Sequence, residues 1–138
     1  MGTVALSQEP EVLADDVLSA ILVVAEEKHG RQLRFRAYDS DLQDLFYRLR
    51  QESACPLLEC FVFSDAGPVP YSPMLSDSIS RLQLAGLLGH ENPDYEVLFL
   101  TQSAKAYYDA ELMTRFTQDE RDELGRVGDL LLGRIKPL

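Results

Sequence analysis

Side chains able to do covalent or acid–base chemistry are sparse in this chain, and their spacing does not assemble a centre. The 138 residues include two histidines, His29 and His90, and two cysteines, Cys55 and Cys60. General bases and nucleophiles work in pockets where a partner orients them. His29 falls at the end of a helical pattern and His90 in a polar turn, so both read as solvated. The sequence contains no Gly-x-Ser-x-Gly elbow, no His-Glu-x-x-His pair, no phosphate-cradling glycine loop and no Cys-x-x-Cys. Cys-x4-Cys without a second pair or a neighbouring histidine is a poor zinc pattern, and two small packed thiols in a reduced compartment are the simpler reading. Glu120, Asp122 and Glu123 could hold a metal, but near neighbours on a helix point in different directions and form a solvated face. No catalytic set, cofactor site or metal site is expected.

Chemistry of recognition is better represented. Ser76, Ser80, Arg81 and Gln83 stand at the outward positions of one helical pattern, and serine, arginine and glutamine can all read base edges. Arg81 is the single cation there, Asp77 would face phosphate, and Asp77 is also one turn from Arg81, where it can pair with it. A second basic set, Arg34, Arg36, Arg48 and Arg50, could converge on an anionic partner, or pair locally with Asp39, Asp41, Asp44 and Glu52. The net charge of −10 disfavours a large phosphate footprint. Nucleic acid remains open as a partner only against that charge.

These side chains must be positioned by elements that the hydrophobic pattern marks. Glu11 to His29 carries Leu13, Val17, Ile21 and Ala25 on one stripe, with Leu18 and Leu22 beside it, and Gly30 stops it. Leu33 to Tyr38 alternates as a short strand. Ser40 to Gln51 turns Leu42, Leu45, Phe46 and Leu49 inward. Leu57 to Phe63 is apolar and aromatic, and reads as a strand or extended segment. Ser72 is a good N-cap and Pro73 a good first helical residue. That third helix places Leu75, Ile79 and Leu82 inward and ends at Gly86. Leu87 and Leu88 open a strand, Gly89 to Asp94 is the hairpin tip, and Tyr95 to Leu100 returns. The tip offers His90, Glu91, Asp94 and Glu96 rather than lysine or arginine. Thr101 caps a helix from Gln102 to about Thr114. Thr117 and Glu120 form a capping box for a last helix.

A helix, a glycine stop, a β-hairpin and a threonine-started helix in this order predict an α+β winged helix-turn-helix. It would have a three-helix core, a β-hairpin wing and additional C-terminal helices. Residues 1–10 read as a mobile tail without the basic start of a signal peptide, 11–114 as the winged-helix domain, and 115–138 as a core-completing or dimerising helix. In the last segment Leu124, Val127, Leu131 and Ile135 form an apolar stripe that serves either role. Gly125, Gly128 and Gly133 weaken that helix by up to about 1 kcal/mol each, and could admit a close neighbour. No apolar run approaches the roughly 18 residues that a membrane span needs.

Within the winged-helix superfamily the chain most resembles the Panacea (SocA-like antitoxin) and YwgA-like bacterial proteins. The pieces are Leu42-Gln-Asp-Leu-Phe46, Phe61-Val-Phe63, Gly67-Pro68, Tyr71-Ser-Pro73 and Ala85-Gly-Leu87. Val69 and Pro70 are inserted relative to a tighter Gly-Pro-Tyr-Ser form. The likeness spans about residues 13–108. It implies a regulatory or binding role in a bacterial cytoplasm: a non-catalytic antitoxin-like or transcription-regulator-like module acting on a protein partner or on itself as a homodimer. The alternatives are a sequence-specific DNA-binding regulator and an acidic mimic of DNA.

Overall fold

The computed structural model describes residues 12–36, 39–91 and 97–135. The tail at 1–10, the first turn at Glu11, the strand end at Tyr38 and the hairpin tip with Asp94 and Glu96 lie outside them. The fold is α+β and mostly helical, with one small antiparallel sheet.

Helix α1 (Ala14–His29) is the central element: Val17, Leu18, Ala20, Ile21, Leu22, Val23 and Ala25 are all buried. An element this apolar on every side must be covered on every side. The Asp16 carboxylate accepts the Leu13 N–H at 3.1 Å and closes the first turn. Gly30, at φ 85°, ends the helix in the left-handed region that favours glycine. Glu26 then accepts the Leu33 N–H at 2.7 Å and turns the chain into β1 (Arg34–Arg36).

Helix α2 (Asp39–Ser53) buries Leu42, Phe46 and Leu49. It also buries Gln43, 1% exposed, whose side-chain amide reaches a residue far along the chain. Gln43 Nε2 donates to the Ser72 carbonyl at 3.0 Å, and Gln43 Oε1 accepts the Ser72 N–H at 2.7 Å. Ser72 caps α3 (Pro73–Leu84): its hydroxyl accepts the Leu75 N–H at 3.3 Å, and Pro73 occupies the first turn as expected. One glutamine therefore holds the start of the next helix through its backbone.

The segment between α2 and α3 departs from expectation. Leu57 to Phe63 is not a strand; Pro56–Cys60 is a 3-10 turn. Proline at its start fixes φ near the helical value, and Leu58 and Phe61, three residues apart, are the positions fully buried. That period is helical, not alternating. After it, Phe61 is buried, Val62 exposed, Phe63 half-buried and Ser64 exposed. Ser64 and Tyr71 pair as an isolated antiparallel bridge, with N–H···O distances of 2.8 and 2.9 Å.

Strands β2 (Leu88–His90) and β3 (Val97–Leu100) follow α3, and the sheet order is β1-β3-β2. Phe35 stands opposite Leu98 and Gly89 opposite Phe99. Gly89 and His90 thus belong to a strand and not to a turn: the Glu91 N–H still donates to the Val97 carbonyl at 3.0 Å. The Phe99 ring covers Gly89 so closely that a methyl there would stand 2.4 Å from its Cζ.

Thr101 caps α4 (Gln102–Tyr107). The expected helix to Thr114 changes gauge instead, through a π turn (Tyr108–Leu112) and a 3-10 turn (Met113–Arg115). The wider turn keeps Tyr108, Leu112 and Phe116 buried on one side, where an unbroken α-helix would rotate residues four apart by about 40° per step.

Helix α5 (Gln118–Arg134) opens with the capping box read from the sequence. It packs along α1. Leu124, Val127 and Leu131 are buried within the single chain, and half-buried Ile135 packs against the same core. Leu124, Val127 and Leu131 of the stripe thus complete the chain's own interior, the core-completing role of the two read from the sequence. Gly128 lets the two helices meet: a methyl there would stand 3.3 Å from Val24 Cγ1 and 3.4 Å from the Ala25 nitrogen.

Three stability measurements test this packing by denaturant midpoint. Gly128→Leu overpacks the α1–α5 contact and costs about 1–3 kcal/mol. Gly125→Ala, where only the far end of the Lys28 side chain comes within ordinary contact, gains up to about 1 kcal/mol from helix propensity. Equal effects at the two glycines would contradict the packing. Gln43→Leu strands two buried backbone groups of Ser72 and costs about 2–5 kcal/mol; a loss below about 1 kcal/mol would show that they find other partners.

Candidate functional site

The chemistry-bearing side chains gather on α3 and its N-terminal approach. Along α3, Met74, Asp77, Ser80, Arg81 and Leu84 are exposed, and Ser76 and Gln83 are half-buried. Gln83 Nε2 lies 3.4 Å from His90 Nδ1, which ties α3 to β2.

Arg81 pairs differently from the sequence expectation. Its partner is not Asp77 but Asp15 in the first turn of α1: Nε donates to Oδ2 at 2.7 Å and Nη2 to Oδ1 at 2.9 Å. The Ser78 hydroxyl donates to the same carboxylate at 2.6 Å. Asp15 is the better partner because it sits across an interhelical contact, where it accepts three donors, while Asp77 is left exposed. Arg81 Nη2 also lies 3.7 Å from the Met74 sulfur. The guanidinium of Arg81 holds the Asp15 carboxyl below its ordinary 3.8, with Ser78 adding to that and partial burial opposing it.

The four arginines of the proposed anion patch lie on β1 and α2 in different surroundings. Arg34 donates to Glu91 across the edge of the sheet, and this pair raises the Arg34 pKa. Arg48 pairs with Asp44 at 2.9 Å, one of the local partners anticipated. The Nε of Arg50 is buried without a hydrogen-bond partner. Arg36 is exposed on β1. Glu52, expected to pair locally, instead pairs with Arg134 of α5.

The residues weighed for catalysis are also accounted for. His29 Nε2 accepts from Arg31 Nε at 3.2 Å. Glu120 caps α5, Asp122 accepts from Gln118, and Glu123 pairs with Arg126. Burial pushes the Cys60 thiol up to about 11 and raises Cys55 as well. Among the described residues no group of three or more His, Cys, Asp or Glu is placed to hold a metal ion. Among them too, no helix is long and apolar enough to cross a membrane.

Two features escaped the sequence reading. The Asp15–Ser78–Arg81 anchor joins residues more than sixty positions apart, which no local spacing reveals. The exposed apolar residues Met74 and Leu84 lie off the inward stripe of Leu75, Ile79 and Leu82, and that offset was the available signal. The chain matches no family model, and comparison with curated proteins and with solved structures likewise gives no match.

The Asp15 anchor has a pH signature. A carboxyl whose folded pKa is lowered stabilises the fold above its ordinary pKa, and that contribution is lost as pH falls through the lowered value. Asp15→Asn should therefore lower the urea midpoint at pH 7. The gap to the parent should close when both are measured well below pH 3.8. A gap that stays constant across that range would remove the ion pair as its source.

Proposed function

We propose that this chain is a non-catalytic winged-helix module whose role is regulatory protein interaction. The order helix, strand, helix, helix, strand, strand, with a sheet ordered β1-β3-β2, supports the winged-helix reading. The observation that carries the choice of partner is the outer surface of α3. Its one cation, Arg81, is tied by two hydrogen bonds to Asp15, while Leu84 at its end is 89% exposed. A helix that reads DNA needs free cations to displace condensed counterions. A helix that meets protein needs exposed apolar side chains with few charges among them. The α3 surface fits the second description.

The sequence resemblance to antitoxin-like and regulator-like bacterial proteins points the same way, toward binding and not turnover. The adverse net charge acts at longer range, slowing approach to any polyanion.

Titration of the chain with a short mixed-sequence DNA duplex over a salt series tests the assignment. The expected result is no saturable binding tighter than about 10⁻⁴ M at physiological salt. Arg81→Ala should leave that result unchanged. Tight binding that weakens steeply with salt, as when about four or more phosphates are neutralised, would overturn the reading in favour of a DNA-binding regulator.

A further inference from the structure

We infer that the outer face of the Ser64–Tyr71 hairpin together with the first turn of α3 docks a cationic amphipathic segment of a partner protein. This rests on the interaction reading above and names the face and the chemistry of its partner. Alternation along the two arms of the bridge puts Val62, Ser64 and Tyr71 outward, while Phe61 and Ser72 are buried and Phe63 is half-buried. Val62 is 68% exposed, Met74 44%, Tyr71 43% and Val69 38%. Four large apolar side chains left in water within one short stretch mark a contact surface.

The face is held in shape before anything binds. Phe63 packs edge-on against Tyr47 of α2, with ring centroids 5.5 Å apart. The buried Gln43 amide fixes Ser72 between Tyr71 and Met74. A surface already ordered loses little conformational freedom on association.

Charge selects the occupant. Between Arg50 and Arg81 the sequence has no lysine or arginine; of the acids there, Glu52 is paired with Arg134, which leaves Glu59, Asp65 and Asp77. Glu59, Asp65 and Asp77 are exposed along the same stretch of chain as the apolar residues. At its edge Arg81 is neutralised by Asp15, and Asp77 adds a further negative charge. Apolar side chains flanked by acids match apolar side chains flanked by bases. A second copy of this chain fits poorly, because a twofold contact would bring the same acids together. An anionic membrane surface is repelled for the same reason.

The probe is a fluorescein-labelled helical peptide of Leu and Lys with its leucines on one face. Its controls are the same peptide with Glu in place of Lys and a scrambled Leu/Lys peptide of equal charge. The amphipathic Lys peptide should bind saturably at one per chain and move the amide NMR signals of residues 61–77. Both controls should bind at least about tenfold more weakly. Met74→Ala with Tyr71→Ala, two exposed positions, should weaken binding about tenfold, as should Asp65→Lys with Asp77→Lys, in each case with the circular dichroism of the parent. Equal binding of either control, signal changes confined to α5, no binding, or a self-association that covers this face would each overturn the assignment. DNA binding in the salt series would instead sink the underlying reading, so the two failures are distinguishable.

Discussion

The two hydrogen bonds between the Gln43 amide and the backbone of Ser72 form where water cannot replace them. A buried backbone N–H and carbonyl need partners, and the Ser64–Tyr71 bridge ends one residue before Ser72. Gln43 supplies a donor and an acceptor in one planar group, which is what a neighbouring strand would have offered. The consequence runs in both directions from Ser72. Forward, the N-cap is oriented and α3 begins where Pro73 can start it. Backward, Tyr71 is set facing outward and the hairpin is pinned to α2. Two of the five pieces of sequence that carry the resemblance, Leu42-Gln-Asp-Leu-Phe46 and Tyr71-Ser-Pro73, each contain one end of this clamp.

Around that clamp the positive charge of the molecule is used internally. Arg126 donates to the Ser53 carbonyl at the end of α2, and Arg121 to the carbonyls of Met113 and Phe116. Arg115 pairs with buried Asp16, Arg134 with Glu52, Arg34 with Glu91 and Arg81 with Asp15. Several of these guanidinium groups cap helix ends or join elements, a role their planar fork of donors suits. Many of the exposed cations among the described residues are thus already engaged by a carboxylate, which leaves less of their charge to a polyanion.

The sequence made the helices legible because their stripes, caps and glycine stops are local. Gly30 and Gly86 end their helices at positive φ, and Thr101, Thr117 and Ser72 cap theirs. Leu57 to Phe63 misled because a short apolar run carries two periods at once, and only Pro56 distinguished them. The choice between core and interface for Leu124, Val127 and Leu131 could not be made from a stripe, since the decision belonged to Gly128 and the surface of α1. The partner of Arg81 was hidden for a related reason. An i,i+4 neighbour is visible in sequence, whereas a carboxylate brought from α1 by packing is not. The candidate surface was only partly legible: Ser80 and Asp77 were placed outward, but the exposed Val62 depended on reading the preceding turn correctly.

Burial raises the Cys60 thiol to about 11, and this affects how the molecule meets oxidising surroundings. At neutral pH such a thiol stays protonated, and the ionised form is the one that attacks peroxides and electrophiles. Cys55, buried and likewise shifted upward, is protected twice over. Neither thiol is therefore a ready nucleophile at neutral pH.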